Sequence, residues 1–446
     1  MTRIAALALV VLFMVLGLLS AGDAHGFADA RSTMSFGFLL LAAYLVGDIL
    51  SWIRFPKITG YILAGIFFGP YVLGLVDTET VQELKLIDDL ALTFIALAAG
   101  GELRLGELRQ RRRSIVLTVV FLTLVVFSGV AAFTVVARPL LPFLEGRSTA
   151  ELVAVAALLG TFAVARSPSS AIAIISELKA RGPFTEMVLG VTVVMDVLVI
   201  VVFAAVVSLC QVLVVPETPL DLRLMAAVAV ELVGSVLGGM ALGWLISLYI
   251  RHVKAELLVF ILAVAFLATF SSRQFALLLD QLYGVSIHLE PMLLCLTAGF
   301  WVRNFSQGGD LFMQSIDRSS LPIYVIFFSL TGAALSIDAL SQTWLVAVLL
   351  VVVRCLLVWL GAYWGGASSG DPPLFRRMSG LSFITQAGVS LGLAGIVMRR
   401  FPEWGAALAT TIVAVIALNQ IIGPVAFKMA LSAVGEAGVG RGRRTP

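Results

Sequence analysis

Stretches of about 20 apolar residues recur along the whole of this 446-residue chain, and about 20 residues is the length an α-helix needs to cross a bilayer's hydrocarbon core. Inside hydrocarbon every backbone N–H and C=O must be satisfied within the protein, which leaves only helices and closed barrels. The apolar stretches are too long for barrel strands, so the fold class is an all-α polytopic membrane protein in contact with a lipid bilayer. Composition agrees: 60% of residues are hydrophobic and 13% charged, with a mean hydropathy of +1.04. The net charge of +3 is small, and nothing in it points to nucleic acid. The three cysteines, Cys210, Cys295 and Cys355, sit inside apolar runs with no metal or disulfide spacing and read as small core residues.

From Ser32 onward thirteen spans are expected, near 33–53, 57–76, 84–101, 114–137, 150–176, 184–212, 223–250, 255–271, 275–302, 320–340, 343–365, 378–398 and 405–431. Before them, "MTRIAALALVVLFMVLGLLSAGDAHG" has a basic start, an apolar stretch and small residues. Residues 1–24 are therefore expected to be a signal peptide cleaved after Ala24, or else an extra N-terminal helix. Alternation of thirteen spans puts eighteen Lys and Arg of the loops and ends on one side and seven on the other. The positive-inside rule then places the richer side in the cytoplasm. The mature N-terminus is expected outside and the C-terminus inside, in what reads as a bacterial inner membrane. The end of the chain, 432–446, is a short basic tail with no attached nucleotide-binding domain.

Span three, "TFIALAAGGELRLGEL", and span ten, "VIFFSLTGAALSIDAL", echo each other weakly. The echo suggests two six-helix repeats, 33–212 and 255–431, joined by a linker helix at 223–250. An odd linker inverts the second copy, the architecture of many secondary transporters.

Few charges fall in mid-membrane. Asp196 is the sole charge between Met187 and Val215, about 18 Å from the cytoplasmic end at 1.5 Å per residue. A carboxylate in hydrocarbon costs roughly 2.5–3.5 kcal/mol and is a functional candidate by default. Arg354, in "VVVRCLLVWL", lies at similar depth and reads first as a structural counter-charge. Span five contains "GTFAVARSPSSAIAII", where Pro168 removes a donor and disfavours helix at Ser167. Span twelve contains "SFITQAGVSLGLAG", where Thr385, Gln386, Gly388 and Ser390 mark a second break. Interrupted spans at matching places in two halves point to a transporter's binding site. Ser169 and Ser170 are candidate ligands there, or they bond back to their own helix. His288 and Glu290 are expected at the outer end of span nine, Glu231 in a similar role in span seven, and Asp48 and Glu102 solvated near cytoplasmic ends.

Together these residues resemble the monovalent cation:proton antiporters, the superfamily of sodium/proton exchangers and Kef-type systems. "KITGYILAGIFFGPYVLGLV", "LALTFIALAAGGELRLGELR", "LLGTFAVARSPSSAIAIISELKARG", "LGVTVVMDVLVIVVFA", "LPIYVIFFSLTGAALSIDAL", "VVVRCLLVWL" and "SFITQAGVSLGLAGIV" follow that family's order over about residues 35–430. The resemblance implies broken crossing helices, a core domain moving against a dimerisation domain, and a homodimer without cofactors. It implies that Asp196 binds Na+ or K+ and a proton in turn, a role in pH homeostasis, and Arg354 as the basic residue of span eleven. Two positions depart from the family. Met195 stands where Asp, Asn or Gln is common, and Arg166 adds positive charge to the break. Aimed at the site, Arg166 would repel a cation; aimed at the cytoplasmic funnel, it would act weakly.

Two rivals come from other classes. An intramembrane hydrolase lacks support, because HExxH, GxSxG and a facing pair of aspartates with recognisable spacing do not occur. A non-transporting sensor on the same fold rests on Arg166 and Met195.

Overall fold

The computed structural model describes residues 2–20, 28–214, 222–253, 256–283, 289–335, 337–386 and 389–438. Ala24, His288, Gly388 and the basic residues of the C-terminal end lie outside them. The described residues are helical with no strand: α1 (Thr2–Ser20), α2 (Ala28–Trp52), α3 (Lys57–Phe68), α4 (Thr78–Glu83), α5 (Lys85–Glu102), α6 (Leu105–Val136), α7 (Thr149–Val164), α8 (Pro168–Leu178), α9 (Pro183–Val214), α10 (Leu222–His252), α11 (Leu257–Tyr283), α12 (Pro291–Phe305), α13 (Gly309–Ala333), α14 (Ile337–Ser369), α15 (Pro373–Met378), α16 (Val389–Arg400) and α17 (Gly405–Ala433). Among the described residues seven helical stretches are long and apolar enough to cross a membrane.

Several boundaries differ from those expected from the sequence. α3 stops at Phe68 instead of running to residue 76, because Pro70 disfavours helix at Gly69. α11 continues to Tyr283, and the next helix starts only at Pro291, a favoured first helical residue. α6 begins at Leu105, so the arginines 109–113 form a helical extension of the fourth span. Asp48 is not solvated. It is 6% exposed and lies between Arg3 Nη1, which pairs with it, and Lys57 Nζ at 3.0 Å. Arg3 also sits 5.4 Å over the Trp52 ring, so α1 docks antiparallel on α2.

The helices pack in two groups. One contains α6 to α9 and α14 to α17, and the other α2, α3, α5 and α10 to α13. At one end Glu177 meets Lys57, Lys428 meets Phe55 and Glu436 meets Phe184. At the other Arg147 meets Glu403 and Arg400 meets Gln211.

The second group is drawn together by two glycine crossings. A Cβ on Gly65 would lie 2.1 Å from Ser329 O, and one on Gly332 2.2 Å from Ile62 O. The same reciprocity joins Gly100, 1.8 Å from Leu296 O, to Gly299, 2.0 Å from Leu97 O. Backbones this close exclude any side chain. Gly299→Val and Gly332→Val are expected to destabilise by at least the ~1–3 kcal/mol typical of overpacking. Thermal unfolding in detergent measures the loss, with Gly392→Ala, which meets nothing within 4 Å, as the unchanged control.

Candidate functional site

α7 and α8 are two halves of one interrupted helix. A capping box starts α7: Ser148 Oγ accepts from Glu151 N, and the Glu151 carboxylate accepts from Ser148 N. At the break, Ala165 (φ −58°, ψ 142°) and Ser167 (φ −109°, ψ 101°) leave the helical region. Ser167 Oγ then caps α8 by accepting from Ser170 N at 3.2 Å. The second half of the chain repeats the device. α15 and a 3-10 turn, Ser379–Phe383, stop short of α16, and Ile384, Thr385 and Gln386 run between them without helix.

The two breaks cross and bond directly, with Ser167 N donating to Thr385 O at 3.2 Å. Arg354 supplies most of the remaining donors. Its Nε donates to Ala163 O at 2.9 Å, Nη1 to Ile384 O at 2.7 Å and Nη2 to Ala165 O at 3.1 Å. Gln386 Nε2 donates to Phe162 O at 2.6 Å, and Asn419 Nδ2 holds Gln386 Oε1 at 2.7 Å. Thr385, Gln386 and Arg354 are each no more than 2% exposed.

Arg166 turns back onto its own break. Its Nη1 donates to Ala163 O at 3.0 Å and Ala165 O at 3.1 Å, the carbonyls Arg354 also uses. Both bonds go to backbone of its own break, and no hydrogen bond or ion pair joins it to Asp196 among the described residues. Ser169 and Ser170 Oγ lie 3.1 and 2.9 Å from Ser167 Oγ and belong to the cap.

Asp196 stands apart from this polar crossing. α9 packs against α7, α8 and the 3-10 turn, with Met195 fully buried and Asp196 half-buried at the seam between the two groups. Its Oδ1 is enclosed and has no hydrogen-bond partner among the described residues. The acidic charge felt there is that of Glu290, at the start of α12 in the other group. No ion pair joins Asp196 to Arg354 among the described residues.

A cavity of about 390 Å³ opens at the end that carries Arg104, Arg181 and Arg303. Glu102, Glu107, Glu186, Asp310 and Asp317 give it an acidic surplus, and it reaches Leu189 on α9. Glu102, expected to be simply solvated, is part of its wall. At the mouth the Arg303 guanidinium, 2.6 Å from Asp310, holds that carboxyl below the usual range. Seven residues separate Leu189 from Asp196, about 10 Å along the helix. Toward the other end α8 closes against α5 and α12 through Leu92, Ile95, Pro168, Ile172, Met292 and Leu296.

Reasoning from the sequence brought out Arg354, Gln386, Thr385 and Asp196. It passed over Asn419 and Gln420, buried in "VAVIALNQIIG", where two adjacent amides in an apolar run were the available signal.

The description "Sodium/hydrogen exchanger, transmembrane" matches residues 36–433. A probable Na+/H+ antiporter of Bacillus cereus, GerT, is 30% identical over 177 residues, 38% of this chain. That stretch spans 42% of the length of GerT. Two structures of the sodium proton antiporter MjNhaP1 from Methanocaldococcus jannaschii share the fold. One, at pH 8, has TM-score 0.66 and 18% identity, covering 91% of this chain and 99% of that one. The other, from electron microscopy, has TM-score 0.70 and 17% identity, covering 92% and 98%.

Replacing Arg354 tests the crossing. Arg354→Met leaves Ile384 O without its donor and takes one from each of Ala163 O and Ala165 O. At about 1–3 kcal/mol for an unsatisfied buried group, a clear fall in unfolding temperature is expected. Arg354→Lys should recover only part of it, because an ammonium lacks the planar fork.

Proposed function

The chain belongs to the sodium/hydrogen exchanger family, and we propose from its site that it is a secondary transporter exchanging a monovalent cation for protons. Sodium, the ion named for its relatives, is the expected cargo. The observation that carries the reading is Asp196: a carboxylate in an otherwise apolar helix, at the seam between two helix groups, above the floor of an acidic cavity. With one oxygen enclosed and unbonded, its charge is best compensated by a small partner arriving through the cavity. A cation or a proton serves, and holding one excludes the other.

In this reading α6 to α9 and α14 to α17 form the moving core, and the other group is the scaffold and dimerisation domain of a homodimer. The paired glycine crossings support two inverted repeats. α3 with α13 and α5 with α12 meet in the same way, as an inverted repeat that equates α3 with α12 and α5 with α13 requires. The end rich in basic residues faces the cytoplasm, so the cavity is the cytoplasmic access path. The seam lined by Leu92 and Met292 closes the outer path. Access alternates when the core slides along it, and the carboxylate crosses only when neutralised.

Asp196→Asn keeps shape and removes the charge. In everted vesicles carrying a proton gradient, addition of sodium or potassium salt should dissipate the gradient with the parent protein. The variant should be folded and inactive; exchange at the parent rate would remove Asp196 from the mechanism.

Stoichiometry follows from which groups can change charge. Met195 adds no second acid, and Arg354 is committed to backbone carbonyls. One cation per proton is expected, so exchange rates should ignore an imposed membrane potential. A rate that follows the potential in voltage-clamped vesicles would contradict this.

Arg166→Gln removes a charge that faces away from Asp196. The pH optimum of exchange should stay in place while thermal stability falls. A displaced optimum would show that Arg166 acts on the site.

A further inference from the structure

Several hydrogen bonds join the helix groups at the end where the cavity opens, among them those of Glu177 and Lys428 and that from Leu105 N to Asn304 Oδ1. Glu177, in the last turn of α8, reaches the start of α3 in the other group. Its carboxylate accepts from Lys57 N at 2.8 Å and from Ile58 N at 3.4 Å. These are the first N–H groups of α3, which Pro56 leaves without a side-chain cap of its own. An anion is favoured there by both the free donors and the helix dipole. Lys57 and Lys428 supply positive charge around it. Beside it Lys428 Nζ of α17 donates to Phe55 O at 3.3 Å.

The geometry points to Glu177 as a positioning residue for transport: its carboxylate, seated on the start of α3, holds the core in the conformation open at the basic end. This rests on the antiport reading above. α3 is fixed to its own group by the Gly65–Gly332 crossing, and α8 carries the break that bonds to Thr385. Each end of the bridge thus moves with its own group. A slide of a few ångströms lifts the carboxylate beyond hydrogen-bond reach. The half-buried position lets water take over the α3 donors once they part. The contact therefore exists in one access state and not in the other. Such a differential contact shifts the balance of states by its own worth and no more.

Removing it should favour the opposite state. Glu177→Gln is expected to raise the apparent KM for sodium at the cavity face, measured in everted vesicles. The same variant should lower it at the other face, measured in right-side-out vesicles. Opposite shifts of roughly tenfold are expected, within the range of a coupling of this kind. Lys428→Met should move both values in the same directions by less. It carries a half-buried side chain on the other bridge, so it tests the contact even if Glu177→Gln fails to fold. A merely structural role would lower the maximal rate or move both faces together. Parallel or absent shifts in Glu177→Gln would overturn the inference.

A second measurement does not need transport. In a background without the native cysteines, Glu186→Cys in the cavity wall should react with an impermeant maleimide from the cavity face. Adding Glu177→Gln should slow that reaction. Parent vesicles without cation-driven proton flux would defeat the antiport reading, and unchanged labelling would defeat the bridge.

Discussion

Four carbonyl groups set the terms for the interior of this protein: those of Phe162, Ala163, Ala165 and Ile384. Breaking two helices in mid-membrane leaves Ala163 O, Ala165 O and Ile384 O to be met from elsewhere, while Phe162 O keeps one bond from Ala165 N at 3.2 Å; an unmet group there costs several kcal/mol. Arg354 answers three of them from one planar fork and Gln386 the fourth. Lysine would not do, since its single ammonium cannot span carbonyls contributed by two segments. The crossing is therefore a fixed piece of polar structure, and what makes it fixed is that every guanidinium nitrogen of Arg354 bonds a backbone carbonyl.

That commitment divides labour between the buried charges. A guanidinium bound to backbone carbonyls is partly compensated by the negative ends of two half-helices, so it needs no carboxylate. Asp196 is left without an arginine and with one oxygen unbonded. Had Arg354 paired with Asp196, a cation would have had to displace a buried ion pair, and breaking such a pair is strongly unfavourable. The observed arrangement leaves the carboxylate uncommitted, as the proposed exchange of a cation for a proton requires.

What the sequence made legible were interruptions of apolar runs. Asp196, Arg354 and Pro168 stood out because each breaks a pattern that hydrocarbon enforces. The partners were not legible, because Arg354 and Arg166 bond to backbone atoms, and backbone atoms carry no residue-specific signal. For the same reason Arg166 read as a possible neighbour of the site. Glu177 and Glu436 interrupt no apolar run and so carry no such signal, yet Glu177 serves the start of α3. Glu436, 7% exposed, accepts from Phe184 N and Thr185 N at the start of α9. Asp48 was misread likewise, since its cations come from α1 and α3. Helix limits failed where a proline acted, at Pro70 and Pro291, or where charge stayed helical, as in α6.

The distribution of bonding strength also favours motion along one surface. Within the core, polar groups lock the crossing; within the other group, glycines bring backbones to contact and fix their register. Between the groups, the contact near the break is apolar, formed by Leu92, Ile95, Ile172, Met292 and Leu296. Apolar surfaces that slide past one another exchange one set of dispersion contacts for another and strand no polar group. Two rigid bodies meeting on such a surface can shift as units, and at the basic end only a few directional bonds resist. A membrane interior does not reward burial of apolar surface as water does. Under the proposed alternating access, directional bonds at the wet end of the seam, far from Asp196, are therefore well placed to set which side the carboxylate faces.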